Sequence, residues 1–380
     1  MSSHLKSSLA AGPNAPASDD TSNLTGQAGS DYATAAAVVR HWHRARLRVT
    51  IIVALWVATI TVFIFSMTLG PLHLGFTDVV AALSTPGAHD RLHTVVLDLR
   101  LPPALLAVLV GAALALAGLQ MQTILDNPLA EPFTLGVSAA AACGAAIVIT
   151  TGIVIPFLPM ATLHFAAGSL ALLASGVIAL AARSRRAGRE TMILLGIALV
   201  FGFQAILALI QYTASVDALQ QIIFWSMGSL FRAKWWSVNA IAITLLAITA
   251  CFWVNNWKLT ALRLGESRAS AIGINVPRLR VWTLVGVSLL ASVSVAAVGI
   301  IGFIGLVGPH VARILVGEDQ RYLIPASTAC GALLLSSAHA ASLVLVPGVV
   351  LPVGILTALV GVPVFITIIL GRRRRYSGVA

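Results

Sequence analysis

Charge is what this sequence has least of. Only 13 of its 380 residues are acidic, and Asp, Glu, Lys and Arg together make up 10%. A water-soluble domain of this length covers its surface with about a quarter to a third charged residues, so a soluble globular fold is excluded. Cysteine is scarce too. Cys143, Cys251 and Cys330 are odd in number and lie in or beside apolar runs, which excludes a disulfide framework and a cysteine metal cluster. No H-E-x-x-H, G-x-S-x-G or G-x-x-x-x-G-K-[ST] pattern occurs. The residues therefore predict no catalytic role, and any ATP the chain depends on is hydrolysed by another chain.

What is present in excess is apolar surface: 58% of the residues are hydrophobic and the mean hydropathy is +0.94. Apolar runs fall near 49–70, 102–124, 134–155, 161–182, 192–212, 237–254, 282–301, 303–317, 322–346 and 352–371. Runs of 18 or more such residues read as membrane spans. The fold class expected is an all-α polytopic membrane protein of about ten transmembrane helices. The eighth run is short, roughly 22 Å as a helix against a hydrocarbon core of about 30 Å. Residues 1–39, rich in Ser, Ala, Asp, Gly and Thr, are expected to be a disordered cytoplasmic tail. Residues 40–375 form the transmembrane domain, with the longest cytoplasmic loop at 255–281.

The net charge of +11 does not point to nucleic acid, because the positive residues cluster between apolar runs. With ten crossings and an internal N-terminus, 20 of the 24 positives lie on the cytoplasmic side; Arg91, Arg100, Arg232 and Lys234 do not. That distribution predicts both termini in the cytoplasm of a plasma-membrane protein.

Four stretches interrupt the apolar pattern. Gly118–Pro132 gathers Gln120, Gln122, Asp126, Asn127 and Glu131 around Pro128 and Pro132. It reads either as a capped cytoplasmic turn or as a broken segment on a conduction path, where side-chain amides satisfy freed backbone groups. Leu264–Gly273 reads as a two-turn helix, with Gly265 and Glu266 at its start, an alanine face at Ala269 and Ala271, and Gly273 past its end. Such a helix is either a connector or an element that docks in a partner's groove. Phe224–Trp236 is an external aromatic and basic patch, in which Trp225, Trp235 and Trp236 read as interfacial anchors.

The fourth stretch, Gly302–Arg321, starts with glycines at 302, 305 and 308, then Pro309, His310 and Arg313. The glycines predict a close-packing face and Pro309 the first position of a new helix. His310 is expected in the first turn as a neutral, hydrogen-bonded imidazole, either packing or touching cargo. Arg313 is expected to snorkel to the interface. His89 and His93, four apart in an external loop, read as solvated histidines or as half of a metal site.

Several of these stretches resemble one family. N-P-L-A-E-P-F-T-L-G (Asn127–Gly136), G-F-I-G-L-V-G-P-H-V-A-R (Gly302–Arg313) and L-P-V-G-I-L-T-A-L-V-G-V-P-V-F (Leu351–Phe365) are similar to the FecCD family. W-S-M-G-S (Trp225–Ser229) and L-G-E-S-R-A-S-A-I-G (Leu264–Gly273) are similar too, so the resemblance covers roughly residues 50–371 in order. These are permease subunits of ATP-binding-cassette importers for iron–siderophores, vitamin B12 and haem.

The resemblance implies a type II importer permease fold with broken helices, no resident cofactor or metal, and ATP and Mg on a partner. The partners it implies are a cytoplasmic ATPase dimer, a second permease subunit and an extracytoplasmic binding protein, all within membrane lipid. Gly265, Glu266, Ala269 and Gly273 match the ATPase-coupling helix. Gln120, Gln122, Asn127, Pro128, Glu131, Gly308, Pro309 and His310 are the candidate pathway residues. Docking of the binding protein falls to Arg100 and His339. The family reads R-L-P-R where this chain ends in Pro103, and an Asp followed four residues later by an Arg where this chain has His339 and Leu343. Those losses point to a pore built with a second, homologous subunit. The cargo expected is an iron–siderophore, with cobalamin or haem as the alternative. An ion-coupled secondary transporter would need intramembrane carboxylates, which the apolar runs almost entirely lack.

Overall fold

The computed structural model describes residues 20–70, 74–84, 91–156, 159–182 and 189–376. Helices α1 (Asp20–Thr68), α2 (Phe76–Ser84) and α3 (Arg91–Thr94) precede a π-helical turn, Val95–Arg100, that runs directly into α4 (Leu101–Leu125). A 3₁₀ turn, Pro132–Leu135, leads to α5 (Val137–Thr151), α6 (Thr162–Ala182), α7 (Arg189–Thr213) and α8 (Val216–Ser226). Then come α9 (Trp235–Val254) and two short helices, α10 (Asn256–Leu262) and α11 (Glu266–Ala271). The chain ends with α12 (Val276–Val298), α13 (Ile304–Val316), α14 (Gln320–Val344) and α15 (Val353–Tyr376). One antiparallel bridge, between Val346 and Val349, is the β-structure among the described residues.

Seven helices are long and apolar enough to cross a membrane, and three shorter apolar helices are Val137–Thr151, Ile304–Val316 and Val353–Thr367. They coincide with the ten runs expected. At about 1.5 Å per residue, α13 is roughly 20 Å long, shorter than a hydrocarbon core.

Helix α4 is the hub. It packs against α9, α12, α13 and α14, and 83% of its most apolar window is buried, against 6% for α7. Lipid tails are as apolar as leucine, so helices associate in a membrane by close packing rather than by a hydrophobic drive. The sequence of α4 supplies that closeness. A Cβ on Gly111 would overlap the Gly331 carbonyl of α14, and one on Gly118 would overlap the Gly305 carbonyl of α13. Large side chains such as Leu116, Leu119 and Ile124 fill the space on either side of these crossings.

One expectation changes here. Trp225 is 2% exposed and belongs to the core beside Val137 and Ala291, so it anchors nothing at an interface, whereas Trp235 and Trp236 remain exposed. The tail expected to be disordered lies outside the described residues up to residue 19, and from Asp20 the backbone is that of α1. Alanines at 33 and 35–37 are the strongest helix formers in that segment. His89 lies outside the described residues, and the Nδ1 of His93 lies 3.3 Å from the Ala82 carbonyl. Among the described residues no group of three metal-ligating side chains occurs, and all three cysteines are free.

Candidate translocation and coupling site

The break between α12 and α13 is set by backbone conformation. Helix α12 ends at Gly299, with φ of 80°, and α13 begins after Phe303, whose φ of 67° is left-handed. The hydrogen-bond ladder is thus interrupted before the proline is reached. Pro309 lies inside α13, not at its first position, and His310 falls in the second turn, half-buried. Gly302 stands apart from the close-packing face, because no atom lies within 4 Å of where its Cβ would be. Gly305 and Gly308 form that face, against Leu114, Ala115 and Gly118 of α4.

A proline inside a helix leaves the carbonyl four residues earlier without its intrahelical donor. For Pro309 that carbonyl belongs to Gly305. Gln122 of α4 donates its Nε2–H to it at 3.4 Å. The other end of the same amide accepts from Arg313 Nη2 at 3.1 Å. Gln122 is fully buried, so a side chain with both a donor and an acceptor is required there.

From Arg313 the network continues toward the segment between α10 and α11. Its Nε donates to Glu318 Oε2 at 3.2 Å, and Arg263 Nη2 meets the same oxygen at 2.7 Å. Arg313 was expected to snorkel; instead it is held at both ends, by Gln122 and by Glu318. A parallel strand of the network joins Gln120 Nε2 to Gln320 Oε1 at 3.2 Å and Gln320 Nε2 to Thr123 Oγ1 at 3.1 Å. The backbone N–H of Gln320 then donates to Thr260 of α10 at 3.3 Å. Arg263, Glu318, Gln320 and Thr260 were not singled out in the sequence. The one local signal was Gln320, an uncharged polar residue opening an apolar run.

The Gly118–Pro132 stretch is a turn that also touches the break. Asp126, at φ of 47°, caps α4, and Asn127 Oδ1 accepts from the Leu129 N–H at 3.0 Å, closing a loop around Pro128. Glu131 follows and reaches the Phe303 backbone. Its carboxyl is pushed up to about 7 by burial, while the hydrogen bond from Phe303 acts in the opposite direction. Its Oε2 has no partner among the described residues.

Beyond Arg263, the predicted short helix forms as α11. Gly265, with φ of 106°, precedes it and Gly273, with φ of 85°, follows it; both conformations are ones that glycine adopts without strain. Ala269 is buried at 1% exposure and packs into the core, whereas Ala271 is exposed, so the two alanines expected to share a face are split. Arg280 Nη2 pairs with Glu266 Oε1 at 2.7 Å, tying the start of α11 to the first turns of α12. Arg280 is 6% exposed and Glu266 is 43% exposed, so the pair is anchored from the buried side.

At the other end of the bundle, Arg100 and His339 line one cavity of about 380 Å³ with Asp98, Pro103, Lys234 and Leu343. Arg100 Nη1 donates to the Met67 carbonyl at 2.6 Å. His339 is 3% exposed, its ring lies 5.8 Å from that of Phe231, and its Nδ1 has no partner among the described residues. The two candidate docking residues are therefore brought together, and so are the three positions that depart from the family pattern, Pro103, His339 and Leu343.

Comparison with known proteins agrees with this architecture. A family profile described as the FecCD transport family matches residues 57–371. The hemin transport system permease protein HmuU of Yersinia pestis is 35% identical over 82% of this chain and 93% of its own length. The vitamin B12 import system permease protein BtuC of Vibrio cholerae is 36% identical over 71% and 80%, and the Fe(3+)-citrate import system permease protein YfmE of Bacillus subtilis is 34% identical over 83% and 93%. A solved inward-facing structure of a metal-chelate type ABC transporter superposes with a TM-score of 0.74 at 27% identity, covering 85% of this chain and 99% of that one. The matched residues take in α4, the α12–α13 break and α11, and this chain belongs to the FecCD transport family, as an ABC importer permease of the type II fold.

Proposed function

We propose that the chain is the pore-forming subunit of an importer for iron–siderophore complexes, driven by a cytoplasmic ATPase dimer that seats α11. The observation that carries this reading is the continuous set of contacts from α10–α11 to the break. Arg263, three residues before α11, meets Glu318, which meets Arg313, which meets Gln122 at Gly305. A force applied to α11 by nucleotide-driven closure of the ATPases is thereby transmitted to the membrane-embedded α4–α13 crossing. Alternating access follows when that crossing shifts between two arrangements. ATP and Mg belong to the partner, and this chain supplies the pathway and the lever.

The outer cavity at Arg100 and His339 receives the extracytoplasmic binding protein. A second, homologous permease subunit completes the pore, because Pro103 and Leu343 leave this chain's docking face short of two family arginines. Missing rim charges weaken steering more than packing, so one altered face is tolerated better than two. The protein sits in the plasma membrane with both termini cytoplasmic. Cobalamin or haem is the second reading for the cargo, favoured by the similarity to BtuC and HmuU.

The test is uptake of labelled ferric siderophore, haem and cobalamin by cells with and without the gene. Gene-dependent uptake of the ferric siderophore supports the proposal, and dependence for haem or cobalamin alone replaces it with the second reading. Purification in mild detergent with identification of each associated chain decides the partners. Full transport by a preparation with no other permease chain would overturn the heteromeric pore.

A further inference from the structure

We infer that the cytoplasmic end of the α9–α12 face holds one anionic phospholipid. A cavity of about 640 Å³ opens there between the end of α9, α10 and the start of α12. That volume falls within the range of about 300–1,000 Å³ typical of small-molecule sites. Its deep wall is apolar, with Ile248, Phe252 and Leu289, and its rim carries Lys258, Arg278 and Trp282. A second cavity, of about 460 Å³, adjoins it across Arg278 and Trp282.

Charge complementarity selects the occupant. Among the described residues no acidic side chain lines either cavity. The carboxylates of the neighbouring loop are engaged elsewhere: Glu266 with Arg280, and Glu318 with Arg263 and Arg313. Among the described residues neither Lys258 nor Arg278 pairs with a carboxylate. Lys258 donates to Asn255 Oδ1 at 2.9 Å and lies 5.6 Å over the Trp257 ring, and both leave ammonium hydrogens available. Trp257 and Trp282 are 50% and 64% exposed, with the apolar body and polar edge that suit the headgroup level of a bilayer. Two cations and two indoles above an apolar wall match a phosphodiester headgroup with its acyl chains. A zwitterionic lipid carries its own ammonium and gains less from the pair. Gly273, Ile274 and Asn275, which follow α11 directly, also line the cavity, so a bound lipid braces the segment leading from α11 into α12.

The experiment uses the full chain, with whatever subunits purify with it, in nanodiscs of phosphatidylcholine doped with brominated phosphatidylglycerol or brominated phosphatidylcholine. The readout is the quenching that disappears in Trp257→Phe/Trp282→Phe. Phosphatidylglycerol should reach half-quenching at a lower mole fraction than phosphatidylcholine, and each lost cation should raise that fraction about five-fold. Lys258→Gln/Arg278→Gln should erase the headgroup preference, and Lys258→Arg/Arg278→Lys should keep it, which separates loss of charge from loss of fold. Equal quenching by the two headgroups in the unmodified chain would overturn the inference. So would competition by soluble glycerol phosphate, which would make the site one for free phosphate. Loss of the preference when the associated ATPase is added back would assign the cavity to a protein contact instead.

Discussion

Gln122 makes good what Pro309 lacks. The proline has no N–H for the Gly305 carbonyl, and the amide of Gln122, on another helix, donates to it at 3.4 Å while accepting from Arg313 at 3.1 Å. The proline inside α13 and the polar face of α4 are thus one feature rather than two.

Replacing Gln122 by Leu keeps the volume, leaves the Gly305 carbonyl without its donor and takes one acceptor from Arg313. An unsatisfied buried group costs about 1–3 kcal/mol, so Gln122→Leu should lower the thermal midpoint in detergent clearly. Gln122→Glu keeps the acceptor for Arg313 but not the donor for Gly305, and should fall between the two. A midpoint in Gln122→Leu equal to that of the unmodified chain would show that the amide does not support the break.

Glu318 joins Arg263 to Arg313 from a half-exposed position. Exposed ion pairs contribute about 0–1 kcal/mol, so Glu318→Gln should barely change the melting curve. It should instead lower cargo-stimulated ATP hydrolysis and uptake while leaving basal hydrolysis in place. Basal and stimulated rates in proteoliposomes are the measurement, and an unchanged stimulation ratio would remove Glu318 from the lever.

Burial holds the Glu131 carboxyl up at about 7, above its ordinary 4.5. Between those two values the folded protein keeps the proton and the unfolded chain has lost it. Stability therefore falls as pH rises through this window and levels off above it, by an amount on the order of 3 kcal/mol at most. Glu131→Gln should flatten the dependence of the thermal midpoint on pH between about 5 and about 8. An identical slope in the variant would count against a buried, protonated Glu131.

Gly118 lies against the Gly305 carbonyl with no room for a methyl group. Overpacking of this kind costs typically about 1–3 kcal/mol, and here the obstacle is backbone. Gly118→Ala should reduce both the yield of folded protein and transport, whereas Gly176→Ala, in open space on α6, should leave both unchanged. Comparable losses in the two variants would point to a general intolerance of alanine instead.

The ten helices and the short α13 were legible in the sequence because hydropathy and length are summed over a whole segment, and neither depends on what the segment touches. The same holds for α11, whose ends are marked locally by Gly265 and Gly273. Where the break lies was not legible. Pro309 looked like a helix start because a missing N–H costs nothing at that position, but Gly299 and the left-handed Phe303 had already interrupted the chain, and Gln122 met the carbonyl that Pro309 orphans. Arg313 read as a snorkelling residue because its partners, Gln122 and Glu318, are named only by the packing of α4 and the α13–α14 turn. Trp225 read as an anchor because an aromatic near a span end looks the same from its neighbours whether it faces lipid or core. Arg100 and His339 were each visible as singular residues, yet their shared cavity exists only once α4 and α14 cross at Gly111 and Gly331. Composition by itself determined that the chain is a bundle of membrane helices, since burying or exposing apolar segments is a property of the segments. Tertiary structure decided which polar group meets which, since a hydrogen bond needs two partners within about 3 Å and the partners here stand up to about 200 residues apart.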